Sequence, residues 1–262
     1  MDLGLTGKIA IVSGSSRGLG YATALLLAQE GAKVAINGRN ARHLEVTAQK
    51  IGDQSGQEVL AVPGNVTNPE DVTMLIEKTA NYYGGIDILV TNSGGPPAGR
   101  FDSFTDQDWL QAVELSFMSH VRMIRAALPY LRKSSHAAVL TISSYAVKQP
   151  VPNLILSNSI RAATVGLTKS LALELGDQGI RFNSILPGWT ATERVTELMA
   201  NRASVNKTSL EIEMEKQSKE IALGRMAVPE EFARAAVFLV SPAASYITGV
   251  MLNVDGGAYK GI

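Results

Sequence analysis

A chain of 262 residues, 45% hydrophobic and 18% charged, is long enough for one large α/β domain with a full core. Its 24 basic residues equal its 24 acidic ones, so no basic excess points to nucleic acid and no cationic stripe points to a membrane surface. The absence of cysteine excludes disulfides, thiolate metal sites and a cysteine nucleophile; with no signal peptide or bilayer-length apolar run to be read, the expectation is a cytoplasmic protein.

The elements alternate from end to end. Ile9-Ala10-Ile11-Val12 is a short β-branched run bounded by glycine, which predicts a buried strand. Gly14, Gly18 and Gly20 follow, and a helix begins with Leu19, Ala22 and Leu25 to Leu27. Val34-Ala35-Ile36 is the second strand, followed by a helix over about Ala41 to Ile51. Val59 to Val62 is the third strand, and Asn68-Pro69-Glu70-Asp71 is a helix start that ends near Gly84-Gly85. Ile86 to Val90 is the fourth strand; a long helix then runs from Thr105 to about Leu131. Ala138 to Ile142, a helix from Ser157 to Leu175, and Ile180 to Leu186 come next. A polar helical insertion, Thr192 to Ile221, precedes a helix opened by Pro229 and a last strand, Val250 to Val254. This alternation predicts a single-domain, doubly wound parallel sheet of about seven strands over residues 1–262, with a helical lid over about 192–224. In such a sheet ligands sit at the carboxyl ends of the strands, near the switch in strand order. Arg39, Asn65, Asn92, Gly94, Ser144 and Pro187 all fall there.

The glycine stretch KIAIVSGSSRGLG, Lys8 to Gly20, fits a dinucleotide site. Strand, glycine turn and helix follow in order; Gly14 permits positive φ, and the helix N-terminus offers free N–H groups to a pyrophosphate. The spacing is G-x-x-x-G-x-G rather than the G-x-G-x-x-G of other dinucleotide folds. With Thr91-Asn92-Ser93-Gly94 after the fourth strand, RFNSILPG at Arg181 to Gly188, and SYITGVMLNVDGG at Ser245 to Gly257, the chain resembles the short-chain dehydrogenase/reductase family, in the branch of the β-ketoacyl-carrier-protein reductases. The resemblance covers essentially the whole chain. It implies a Rossmann-type NADP(H) site built from Gly14, Ser16, Arg17, Gly18, Leu19, Gly20, Arg39, Asn65, Val66, Asn92, Gly94, Pro187, Gly188 and Thr192. Arg39 stands where an acid would take the ribose hydroxyls and repel a 2′-phosphate, so with Arg17 it predicts NADP(H) over NAD(H). Asn65 replaces the family's usual aspartate.

The catalytic set departs further. The family uses asparagine, serine, tyrosine and lysine, the last two as Y-x-x-x-K. RAATVGLTKSLALEL, Arg161 to Leu175, aligns with the family pattern without gaps, placing Arg161 at the lysine position and Ser157 at the tyrosine position. Ser144 lies 157 − 144 = 13 residues earlier, the family's serine spacing, and Ser116 stands for the asparagine. A phenol near pKa 10 can be tuned toward neutrality, whereas a serine hydroxyl is far less acidic and arginine is effectively never a proton donor. Tyr145 and Lys148, on the loop after the fifth strand, offer an alternative relay.

No metal is expected: His43, His120 and His136 lack ligand spacing. Leu198, Met199, Leu210, Met214 and Met226 read either as the floor of an apolar pocket or as lid packing. Two readings remain open: an NADPH-dependent reductase of a small carbonyl or alcohol with a remodelled proton relay, or a catalytically silent dinucleotide-binding sensor or scaffold. The resemblance implies a homotetramer, for which Leu167, Leu171 and Ile247 look exposed enough to need cover.

Overall fold

The computed structural model describes residues 2–262. Seven parallel strands form one sheet: β1 (Ile9–Val12), β2 (Lys33–Gly38), β3 (Val59–Pro63), β4 (Ile88–Thr91), β5 (Ala138–Ile142), β6 (Arg181–Pro187) and β7 (Met251–Val254). Their order is β3-β2-β1-β4-β5-β6-β7, so the order reverses between β1 and β4. The helices are α1 (Gly18–Gln29), α2 (Ala41–Ser55), α3 (Pro69–Tyr83), α4 (Asp106–Val113), α5 (Ser119–Leu131), α6 (Ile155–Leu175), α7 (Glu193–Asn206), α8 (Leu210–Lys219) and α9 (Pro229–Val240).

Strand alternation sends neighbouring side chains to opposite faces. Val12, Val90 and Leu140 join Leu27 of α1, Leu44 of α2 and Phe232 of α9 in one core. Ile11, Leu89 and Val139 join Leu75 of α3, Met123 of α5 and Leu175 of α6 in the other. Both faces are covered, which is why these strands read as unbroken apolar runs. A third cluster, with Val151, Trp189, Met199 and Ile221, ties the lid to the sheet.

Local chemistry sets the helix ends. The Asn68 side chain accepts from Glu70 N at 2.8 Å, Pro69 opens α3, and Gly84 closes it at φ 93°. Thr105 and Asp108 form a reciprocal capping box on α4. Arg181 staples the start of β6 to the end of α9, donating to the carbonyls of Leu239 (2.8 Å), Ser241 (3.0 Å) and Ile247 (3.2 Å).

Two expectations need correction and a third gains detail. The helix expected from Thr105 to Leu131 is interrupted by a π-helical turn at Glu114–Met118, which leaves Ser116 on the widened turn. The insertion over 192–224 is two helices, because Lys207 adopts φ 54° and Ser209 caps α8 through Ile212 N. Leu167, Leu171 and Ile247 are half-buried against the cores, whereas Leu173 is 77% exposed.

Candidate active site

A cleft of about 290 Å³ opens at the carboxyl ends of β1, β4, β5 and β6, beneath α7. Its first wall is the glycine loop. Gly14 has φ 55°, and a Cβ there would lie 2.9 Å from the Asn92 carbonyl. A Cβ on Gly20 would lie 2.4 Å from the Gly14 carbonyl, and one on Gly188 only 2.6 Å from Asp255 Cα. Only glycine allows these backbones to pack so closely. Asn92 donates from Nδ2 to the Gly14 carbonyl at 2.9 Å, and Ser13 Oγ donates to the Asn92 carbonyl at 2.7 Å, which locks the loop to β4. The first turn of α1 carries no acid and its N-cap, Arg17, supplies no side-chain cap. Its free N–H groups and positive dipole end are therefore left to a ligand.

The opposite wall carries Ser144, Tyr145, Ser157 and Arg161. Ser144 Oγ accepts from Ala146 N at 3.1 Å, which fixes the turn after β5. Arg161 is buried; Nη1 donates to the carbonyls of Ile142 (3.3 Å) and Ser143 (3.4 Å), and Nη2 to that of Gly94 (3.4 Å). Burial, and then the charge of Arg194, push its guanidinium down to about 10. Thr190 Oγ1 is buried on the cleft without a partner in the protein.

Of the alternative pair, Tyr145 lines the cleft and Lys148 does not. The Tyr145 hydroxyl accepts from Trp189 Nε1 at 2.9 Å, and burial pushes its pKa up, away from acid duty. Lys148 donates to the Met251 carbonyl at 3.2 Å and lies over the Tyr259 ring. Ser116 is fully buried and does not line the cleft; its carbonyl accepts from Thr164 Oγ1 at 2.8 Å and its Oγ has no partner.

On the cofactor side, Gly14, Arg17, Gly18, Leu19, Asn92, Gly94, Pro187, Gly188 and Thr192 all line the cleft. Thr192 also caps α7 through Val195 N at 3.4 Å. Gly20 and Ser16 sit behind the loop, with Ser16 beside Gly38. Arg39 is exposed at the end of β2. Asn65 Oδ1 accepts from Thr67 N at 3.2 Å, and Val66 packs on the second core. Of the five lid residues read as pocket or packing, Leu198 lines the cleft, and Met199, Leu210, Met214 and Met226 pack within the lid cluster.

Arg194, which no sequence feature singled out, also lines the cleft. It donates from Nη2 to the Pro96 carbonyl at 2.8 Å and so joins the lid to the loop after β4. Its place in a polar helix gave no periodicity signal. Arg17 pairs with Glu193 across the cleft mouth. Among the described residues no metal-ligating group of three or more His, Cys, Asp or Glu is found, and no helix is long and apolar enough to cross a membrane.

The family model described as enoyl-(acyl carrier protein) reductase matches residues 14–259. The 3-oxoacyl-(acyl-carrier-protein) reductase of Vibrio cholerae is 32% identical over 98% of this chain and 99% of its own. The L-sorbose reductase of Gluconobacter frateurii, solved with NADPH and L-sorbose, superposes with a TM-score of 0.95 at 32% identity, covering 100% of both chains. An NADPH-bound short-chain oxidoreductase from Pseudomonas aeruginosa PAO1, described as containing an atypical catalytic center, superposes with a TM-score of 0.89 at 30% identity over 98% of this chain and 99% of that one.

Proposed function

Because the chain belongs to the short-chain dehydrogenase/reductase family, we propose that it is an NADP(H)-dependent oxidoreductase that reduces a carbonyl compound, with a remodelled site for proton delivery. The observation that carries this reading is the cradle at the start of α1: close-packed glycines, an uncapped acid-free helix N-terminus, and the orphaned Thr190 hydroxyl across the cleft. These residues fit a dinucleotide. The α1 N-terminus at Gly18 and Leu19 would hold the pyrophosphate, Arg39 with Arg17 the 2′-phosphate, and Asn65 and Val66 the adenine. Asn92, Gly94, Pro187, Gly188, Thr190 and Thr192 would hold the nicotinamide half.

When bound, the nicotinamide supplies a hydride to the carbonyl carbon. The chain's own residues do the rest. Ser144 and Ser157 hydroxyls meet the carbonyl oxygen, and Arg161 favours the negative charge that develops there. Reduction needs one proton on that oxygen, and a serine hydroxyl in contact with cleft water passes it. A positioned general acid is worth about 10²–10⁴-fold, so turnover on ordinary 3-oxoacyl substrates is expected to be slow. The second reading, a silent dinucleotide-binding sensor, draws on the same replacement of tyrosine and lysine; Ser144 and the built cleft favour the enzyme. The subunits are further proposed to form a homotetramer.

Titrating NADPH and NADH by fluorescence tests the cofactor assignment. NADPH should bind at least tenfold more tightly, since a charge-assisted pair contributes about 1.5–3 kcal/mol, and Arg39→Ala should erase most of the difference. Equal affinities in the wild type would contradict it.

A further inference from the structure

Arg161 carries a charge that the cleft does not balance. It is 8% exposed, and among the described residues no carboxylate pairs with it. Its three acceptors are neutral carbonyls at 3.3–3.4 Å. Guanidinium has five N–H donors. Nη1 and Nη2 make these three bonds, while Nε makes none to the protein. The donors left over suit the oxygens of a carboxylate or phosphate.

A second arginine stands on the same loop. Arg161 reaches the Gly94 carbonyl and Arg194 the Pro96 carbonyl, two residues further on. Two residues span at most about 7 Å, so both guanidinium groups border one small volume. Both line the cleft. The acids nearby are committed at the exposed rim: Glu193 to Arg17, and Glu197 loosely to Arg194 at 3.7 Å and Arg17 at 3.9 Å. The rim charges offset one another, and the buried charge of Arg161 is the one left over. The like charge of Arg194 adds to burial in lowering the Arg161 pKa, as expected of two cations facing one space. The proposed cofactor does not neutralise this charge, because its phosphates are assigned to the start of α1, Arg17 and Arg39, on the other side of the switch point.

We propose that the carbonyl substrate is itself an oxyanion, held by its carboxylate or phosphate between Arg161 and Arg194. An uncompensated buried cation is unfavourable, and a bound anion removes that penalty. Arg161 is then a substrate-binding residue as well as the charge beneath the carbonyl, and Arg194 carries the lid down onto the bound anion. The inference deepens the oxidoreductase reading and rests on it for the identity of the cleft.

Calorimetric titration of the full-length protein, with and without NADP⁺, tests it with matched probes. Acetoacetate is compared with methyl acetoacetate, and dihydroxyacetone phosphate with dihydroxyacetone. At least one anion should bind tenfold or more tightly than its neutral partner, and the tighter anion identifies carboxylate or phosphate as the group. Arg194→Gln should weaken that anion about fivefold or more and leave the neutral compound unchanged, with Arg194→Lys recovering part of the loss. Arg161→Gln should abolish the preference; if that variant unfolds, the surface variant Arg194→Gln decides alone. Equal binding of anions and neutral partners, or equal loss of both in Arg194→Gln, would overturn the inference. Failure of NADP⁺ to bind would instead overturn the cofactor reading, and the anion titration on the free protein would still test the arginine pair.

Discussion

Single atoms decide how much of the cradle tolerates change. A Cβ at Gly20 would stand 2.4 Å from a backbone carbonyl that cannot swing away. Gly20→Ala is therefore expected to cost about 1–3 kcal/mol in denaturant unfolding and to weaken NADPH at least tenfold; an unchanged midpoint would refute the packing argument. These glycines were legible in the sequence because their requirement is steric and local. Ser157 and Arg161 were legible as positions, through the ungapped RAATVGLTKSLALEL register, but not as chemistry. That Arg161 lacks a counter-ion depends on α6, β5 and the loop after β4 meeting in space. The double change Ser157→Tyr with Arg161→Lys should raise the reduction rate of neutral ketones, because it restores a phenol beside an ammonium. It should also lower any preference for anions, since lysine lacks the fork. Steady-state rates on the ester and acid of one pair measure both effects.

At the scale of elements, the interruptions carried the news. The sequence predicts one long helix from Thr105 to about Leu131, and a π-turn inserts one residue into it without changing its composition. Just beyond the turn, His120 is wholly buried and neither ring nitrogen has a protein partner. Burial, then the charge of Arg161, push its pKa from 6.5 down to about 3. Between those values the unfolded chain binds a proton that the native state does not. This contribution to stability is complete above pH 6.5 and is lost as pH falls toward 3, by at most about 1.4 kcal/mol per pH unit. Unfolding free energies across that window should slope less steeply in His120→Leu than in the wild type; parallel slopes would contradict the assignment. The break within the helical lid gave no sequence signal, since Lys207 is not a residue type that announces a positive φ.

For the whole molecule, the doubly wound layering followed from the alternation of strands and helices, and seven strands in one parallel sheet meet that expectation. Assembly was less legible, because residues of one helix face divide between the monomer's own core and its surface by small rotations. Leu167 and Leu171 pack inward, while Leu173 on α6 and Leu110 on α4 are 77% and 59% exposed. Apolar side chains of this size on neighbouring helices are suited to burial against another copy. Light scattering at micromolar concentration should give four subunits, and Leu173→Glu should shift the mass downward; a monomeric wild type would refute the tetramer.

A cleft without the tyrosine and lysine of its family is expected still to reduce a carbonyl. NADPH consumption, followed by nicotinamide absorbance with alcohol product quantified, tests it over paired anionic and neutral carbonyl compounds. Stoichiometric NADPH oxidation and alcohol formation are expected with at least one anionic carbonyl compound, and both should be lost in Ser144→Ala. Tight NADPH binding with no oxidation by any member of the panel would contradict it and leave a dinucleotide-binding protein without turnover.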